Sequence, residues 1–101
     1  MSALLATVRV GAAPVGLAVL AGGSRVVVAD SNRFGGPGAR GRLSVVDARA
    51  TLAHEHALIG SLPAGAFPRD LASVPGRQRL LVTNYGSNEL EVVDTTRLVR
   101  R

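Results

Sequence analysis

Cysteine is absent from this chain, and so are lysine and tryptophan. Without cysteine there is no disulfide framework, no thiolate metal site and no sulfur nucleophile. Aromatic residues make up 3% of the chain against 47% hydrophobic, so any core is built from Val, Leu and Ala with no large ring to anchor it. No stretch approaches the roughly 20 apolar residues that a membrane-spanning helix needs. Residues 1–10 (MSALLATVRV) have neither the basic start nor the long apolar centre of a signal peptide. All twelve basic residues are Arg and the formal net charge is +5. They form no basic helix and have few rings beside them for base stacking, so nucleic acid is not an expected partner. At 101 residues the chain fits one domain with a thin core, because a globule this small buries only about 60 to 70% of its unfolded surface.

What the sequence does have is a duplication. Gly11, Ala12, Pro14, Leu17, Ala18, Gly22, Arg25 and Val28 recur 54 positions later as Gly65, Ala66, Pro68, Leu71, Ala72, Gly76, Arg79 and Val82. Leu43, Val45, Val46 and Asp47 recur only 47 positions later, as Leu90, Val92, Val93 and Asp94, so the first copy carries seven additional residues. They are visible in residues 33–41 (RFGGPGARG). Internal repetition of short apolar runs is the signature of a repeat architecture.

Each copy divides into short strands. Residues 15–20 (VGLAVL) lead into Ala21, Gly22, Gly23 and Ser24, whose glycines suit the positive φ of a tight hairpin. Residues 25–29 follow, and the β-branched run Val26, Val27, Val28 suits a strand covered on both faces. Residues 43–46 end at Asp47, whose carboxylate can accept a backbone N–H of the next turn, and residues 58–62 supply a fourth strand. The second copy repeats this with residues 70–74, 79–83 and 90–93, and its fourth strand is only begun at residues 98–101. Residues 4–10 read as a fourth strand with no unit of its own. The expected fold is all-β, two four-stranded antiparallel sheets: repeat 1 about 11–62, repeat 2 about 65–101, and 1–10 the outer strand of an adjacent or closing unit.

On these residues the chain resembles the YVTN family of bacterial β-propeller repeats, which are WD40-like in architecture. The matching stretches are Gly11, Pro14, residues 16–19 (GLAV), 25–30 (RVVVAD) and 43–47 (LSVVD). The second set is Gly65, Pro68, residues 81–84 (LVTN), 85–88 (YGSN) and 90–94 (LEVVD). Asp70 and Leu71 replace the usual Gly-[LV] pair, and Val27 and Leu81 stand where the family often has Tyr, which removes ring packing between blades. The resemblance implies an extracytoplasmic protein, periplasmic or secreted, although this chain shows no signal peptide. Two blades leave two apolar faces bare, and repeat arrays need more units to bury them. The expected partners are therefore further blades, either from self-association, about three or four copies closing a ring of ordinary size, or from a longer parent chain.

In this family the first strand of each blade is innermost, and the loops entering it share one end of the ring with those between the second and third strands. The resemblance thus gathers Asp30, Asn32, Arg33, Arg40, Arg42, Arg69, Asn84, Tyr85 and Asn88 on one rim. An Arg-rich rim favours a protein surface or a small ligand bearing carboxylate or phosphate, since guanidinium offers paired donors to planar anions. The plainer reading of the same residues is solvated loops in which Asn and Asp satisfy turn backbone.

Other motifs carry less. The Gly-rich insertion lacks the Gly-Lys-Ser/Thr and following helix of a nucleotide site and reads as a surface loop with Phe34 tucked against the sheet. His54 and His56 fall on one side of an extended segment, but two ligands are too few for a metal, and an exposed polar turn is the alternative. No serine lies on a strand-to-helix elbow near a histidine, and no cofactor motif is present. The chain is expected to be a non-enzymatic binding scaffold acting through its loop end. The alternative is a fragment of a lactonase-like or quinoprotein-like propeller enzyme.

Overall fold

The computed structural model describes residues 3–74 and 76–99. It contains two antiparallel sheets, a four-stranded one with order β1-β2-β3-β4 and a three-stranded one with order β5-β6-β7. The strands are β1 (Pro14–Leu20), β2 (Arg25–Asp30), β3 (Arg40–Asp47), β4 (Leu58–Ala66), β5 (Pro68–Ser73), β6 (Arg79–Asn84) and β7 (Glu89–Asp94). In both sheets chain neighbours are ladder neighbours, which short hairpins permit without crossovers. The duplication is kept in the register: Val27 faces Val45 and Arg25 faces Asp47, while Leu81 faces Val92 and Arg79 faces Asp94. Gly22 and Gly23 turn the first hairpin at φ 64° and 92°.

The core lies between the sheets. Alternation along a strand sends successive side chains to opposite faces, and Ala18, Leu20, Val27, Ala29 and Leu43 from the first sheet meet Leu80 and Val82 from the second. Val27, Leu80 and Val82 are wholly enclosed. The next residues along each strand point the other way, and there the surface stays apolar: Leu17, Val19, Leu90 and Val92 are 60%, 53%, 61% and 61% exposed. The valine run of β2 splits as its pattern implies, Val27 to the core and Val26 and Val28 half-buried on the outer face.

Two expectations need correction. Residues 4–10 are not a strand. Their burial does alternate, with Ala6, Val8 and Val10 half-buried and Leu5, Thr7 and Arg9 exposed, and Val8 and Val10 line an apolar hollow with Val26, Val28 and Val46. Residues 98–101 do not begin a fourth strand, because a short helix, α2 (Thr96–Val99), follows β7. Residues 100 and 101 lie outside the described residues. An equivalent turn, α1 (Ala48–Leu52), follows β3. Both helices start on the repeated aspartate. Asp47 is the N-cap of α1, accepting from the Ala50 N–H at 3.0 Å, and Asp94 accepts from the Thr96 N–H at 3.0 Å and the Thr96 hydroxyl at 2.6 Å. A side chain that satisfies the first free N–H groups tips a polar turn into a helical one.

The Thr96 hydroxyl, then the Thr96 N–H, hold the Asp94 carboxyl below its usual range against the opposing effect of desolvation, with smaller help from Arg79 and Arg97. A carboxyl whose folded value lies below its unfolded one stabilises the fold above the unfolded value, about pH 4, and loses that contribution as pH falls through the folded value. Urea titrations at several pH values should therefore show Asp94→Asn weakening the fold at neutral pH, with the gap from the parent narrowing below about pH 4. Leu80→Ala should cost about 3 kcal/mol in the same assay, whereas Leu81→Ala, on the outer face, should cost less than about 1 kcal/mol.

Candidate functional site: an arginine and aromatic cluster at one loop end

The end of the molecule that carries the loop after β2 and the turn after β6 is built the same way in both repeats. The Ser31 and Asn32 N–H groups donate to the Ala13 and Ala12 carbonyls at 3.0 Å each, and the Tyr85 and Gly86 N–H groups donate to the Phe67 and Ala66 carbonyls at 2.8 and 2.9 Å. Ala13 and Phe67 both take positive φ, 54° and 57°. That conformation costs a residue with a side chain about 1 kcal/mol or more, and each time it directs the chain into the proline that opens β1 or β5. The entry loops and the inter-strand loops are thereby tied together in pairs.

A buried polar lock lies beneath each pair. In the first repeat the Gly11 N–H donates to Asp30 Oδ1 at 3.1 Å, and the Ser44 hydroxyl donates to Asp30 Oδ2. In the second repeat the Gly65 N–H donates to Asn84 Oδ1 at 3.2 Å, while Asn84 Nδ2 donates to Glu91 Oε1 at 2.6 Å. Asp30 corresponds to Asn84 and Ser44 to Glu91. The carboxylate has moved from one partner to the other, and in each lock it accepts from two donors: Asp30 from Gly11 and Ser44, and Glu91 from Asn84 and, at 3.3 Å, the Gly65 N–H. Asp30 and Asn84 are 2% and 1% exposed, so two of the nine rim residues named from sequence are buried in hydrogen bonds that hold the fold together.

The others divide. Asn32, Arg40 and Arg42 line a cleft of about 210 Å³ with Gly11, Ala12, Asp30 and Gly41. Within it the Asn32 amide donates to the Arg40 carbonyl at 3.1 Å, and Arg42 Nε donates to the Ser61 hydroxyl at 3.0 Å. Asn88 is exposed at φ 57° in the turn before β7, serving that turn. Arg33, Arg69 and Tyr85 meet at a second place, together with Phe34 and Phe67. The Phe67 and Tyr85 rings pack edge to face, centroids 5.3 Å apart at 64°. The Arg33 guanidinium lies 4.8 Å from the Phe34 centroid and 5.4 Å from that of Phe67, and Arg69 lies 5.5 Å from that of Tyr85. Such distances are within reach of cation–π attraction.

Every aromatic residue of the chain is in this cluster, and it is built outward. Phe34 is 83% and Tyr85 64% exposed, which corrects the expectation that Phe34 tucks against the sheet. The first repeat shows that the fold does not require these groups: Phe67, Arg69 and Tyr85 correspond there to Ala13, Val15 and Ser31. That comparison could have singled out Phe67 from sequence. Phe34 lies in the insertion, which has no counterpart, and only its proximity to Arg33 in space brings it in.

Elsewhere the chemistry is sparse. His54 and His56 are exposed beyond α1, and among the described residues no group of three or more His, Asp or Glu could hold a metal. No helix among them is long and apolar enough to cross a membrane. Asp30→Ala should cost about 2 kcal/mol in chemical denaturation, because it strands the Gly11 N–H and the Ser44 hydroxyl in a buried place. Arg40→Ala, on the surface nearby, should stay within about 0.5 kcal/mol of the parent. Compared with known protein families, curated proteins and solved structures, the chain matches none.

Proposed function

We propose that this chain is a β-propeller repeat module of the YVTN kind and a non-enzymatic interaction scaffold, its two sheets being two blades and the loop end its binding surface. The observation that carries the binding reading is the cluster of Arg33, Phe34, Phe67, Arg69 and Tyr85. It projects from the surface, and its members from the second repeat, Phe67, Arg69 and Tyr85, stand where the first repeat has Ala13, Val15 and Ser31. Exposed rings interleaved with arginine are the side chains most often found as anchors in protein interfaces. Among the described residues neither Arg33 nor Arg69 makes an ion pair, so both keep donors to offer. Together with the net charge of +5 this favours a protein segment rich in carboxylates. A small anion would bind differently, in the cleft beside Arg40 and Arg42.

Isothermal titration with a short Asp- and Glu-rich peptide containing one aromatic residue tests this. Saturable binding is expected, weakened about tenfold by Arg33→Ala or Tyr85→Ala and left unchanged by Arg40→Ala. Binding lost with Arg40 and Arg42 but indifferent to the cluster would move the site to the cleft, and absence of saturable binding would refute the scaffold reading.

A further inference from the structure

The internal joint between the sheets has two unlike sides, and the chain presents an unused copy of each. Ala18, Val27 and Leu43 form the first sheet's side of the joint, and by the repeat offsets they correspond to Ala72, Leu81 and Leu90 on the outer face of the second sheet. Leu71, Leu80 and Val82 form the second sheet's side, and they correspond to Leu17, Val26 and Val28 on the outer face of the first. The two bare faces are thus complementary to each other and not to themselves, which is the condition for a head-to-tail contact.

The strand edges tell the same story. β3 is paired by β4, but among the described residues the equivalent edge of β7 has no strand beside it. The counterpart of β4, 54 positions earlier, is the segment containing residues 5–10. It lies on the matching side of its own sheet, since Val8 and Val10 line one apolar hollow with Val26 and Val28, and their equivalents Leu62 and Ala64 belong to the cluster with Leu80 and Val82. The alternating burial of this segment is that of a strand lacking a ladder.

We propose that residues 5–10 of a second copy of this chain add to β7 as its missing neighbour, stacking the first sheet of that copy on the bare face of the second sheet. This rests on the repeat reading of the fold and is independent of the loop-end cluster. The register follows from the internal one. Arg42 faces Pro63, Leu43 faces Leu62 and Val45 faces Gly60; carried over by the offsets, Glu89 faces Arg9 of the second copy, Leu90 faces Val8 and Val92 faces Ala6. Leu90 and Val92 meet apolar residues, Glu89 meets its opposite charge in Arg9, and Glu91, the equivalent of Ser44, faces Thr7 as Ser44 faces Ser61. Glu89 and Arg9 are both exposed, so an opposite-charge cross-strand pair forms at little desolvation cost.

One residue works against this joint. A Cβ on Gly16 would lie 2.5 Å from the Arg69 carbonyl oxygen, so β1 and β5 approach closely only because glycine is there. Its equivalent Asp70 carries a side chain to the same position on the bare face, where it meets β1 of the incoming copy and holds the inner strands apart.

The test is solution mass by light scattering across concentration for the parent, Arg9→Glu, Glu89→Arg, the double reversal and Asp70→Gly, with circular dichroism to verify each fold. The parent should associate, each single reversal should weaken association about fivefold, and the double reversal should restore it to within about twofold. Asp70→Gly should tighten association about tenfold. A parent that stays monomeric at millimolar concentration overturns the proposal and leaves peptide binding at the loop end untouched. Association indifferent to the reversals, or not recovered in the double variant, overturns the assigned edge.

Discussion

Each sheet of this molecule carries apolar residues on both faces, and among the described residues another sheet covers only one face of each. That constraint organises everything else. Val27, Leu80 and Val82 are enclosed because the two sheets lie against each other, and with so few aromatics that contact is the main source of buried area. A small all-aliphatic core of this kind leaves a narrow margin of stability. Capping and locking groups therefore matter beyond their individual worth. Asp47 and Asp94 each close one strand onto a short helix, and Asp30 with Ser44, or Asn84 with Glu91, ties the end of each sheet to the loop entering it.

The locks connect stability to the candidate site. Their partners, the Gly11 and Gly65 N–H groups, lie just ahead of the positive-φ residues Ala13 and Phe67. A loop held by a buried hydrogen bond on one side and paired carbonyls on the other can keep a ring at a fixed angle. The first repeat spends this rigidity on Ala and Ser, the second on Phe67 and Tyr85. A scaffold repeated twice with different residues at one position is how a repeat protein acquires a site without altering its fold.

Much of this was legible in the sequence, and for a definite reason. A short β-branched run such as Val26 to Val28, bounded by turn residues, marks a strand with apolar side chains on both faces, and the duplication shows which positions matter by repeating them. Seven strands fall where apolar runs and turn residues put them. Residues 4–10 show the limit: their alternation is strand-like, but a strand exists only with a neighbour, and pairing is a property of the fold. The helices after β3 and β7 escaped because their signal is one capping aspartate on a four- or five-residue turn. At the site, Asp30 and Asn84 look like ligand donors in sequence because polarity does not reveal burial. Phe34 looks like a loop anchor because its partner Arg33 is visible only as a sequence neighbour, with no hint that its guanidinium lies over the ring.

The central claim is that the two sheets are one cooperative body joined through Val27, Ala29, Leu80 and Val82. Amide hydrogen exchange on a dilute sample tests it most directly, since strands that open together share one exchange free energy. The slowest amides of β2 and β6 should exchange with the same free energy, equal to that of global unfolding. If β6 exchanged markedly faster than β2, the sheets would be separate units and the account of the core would be wrong.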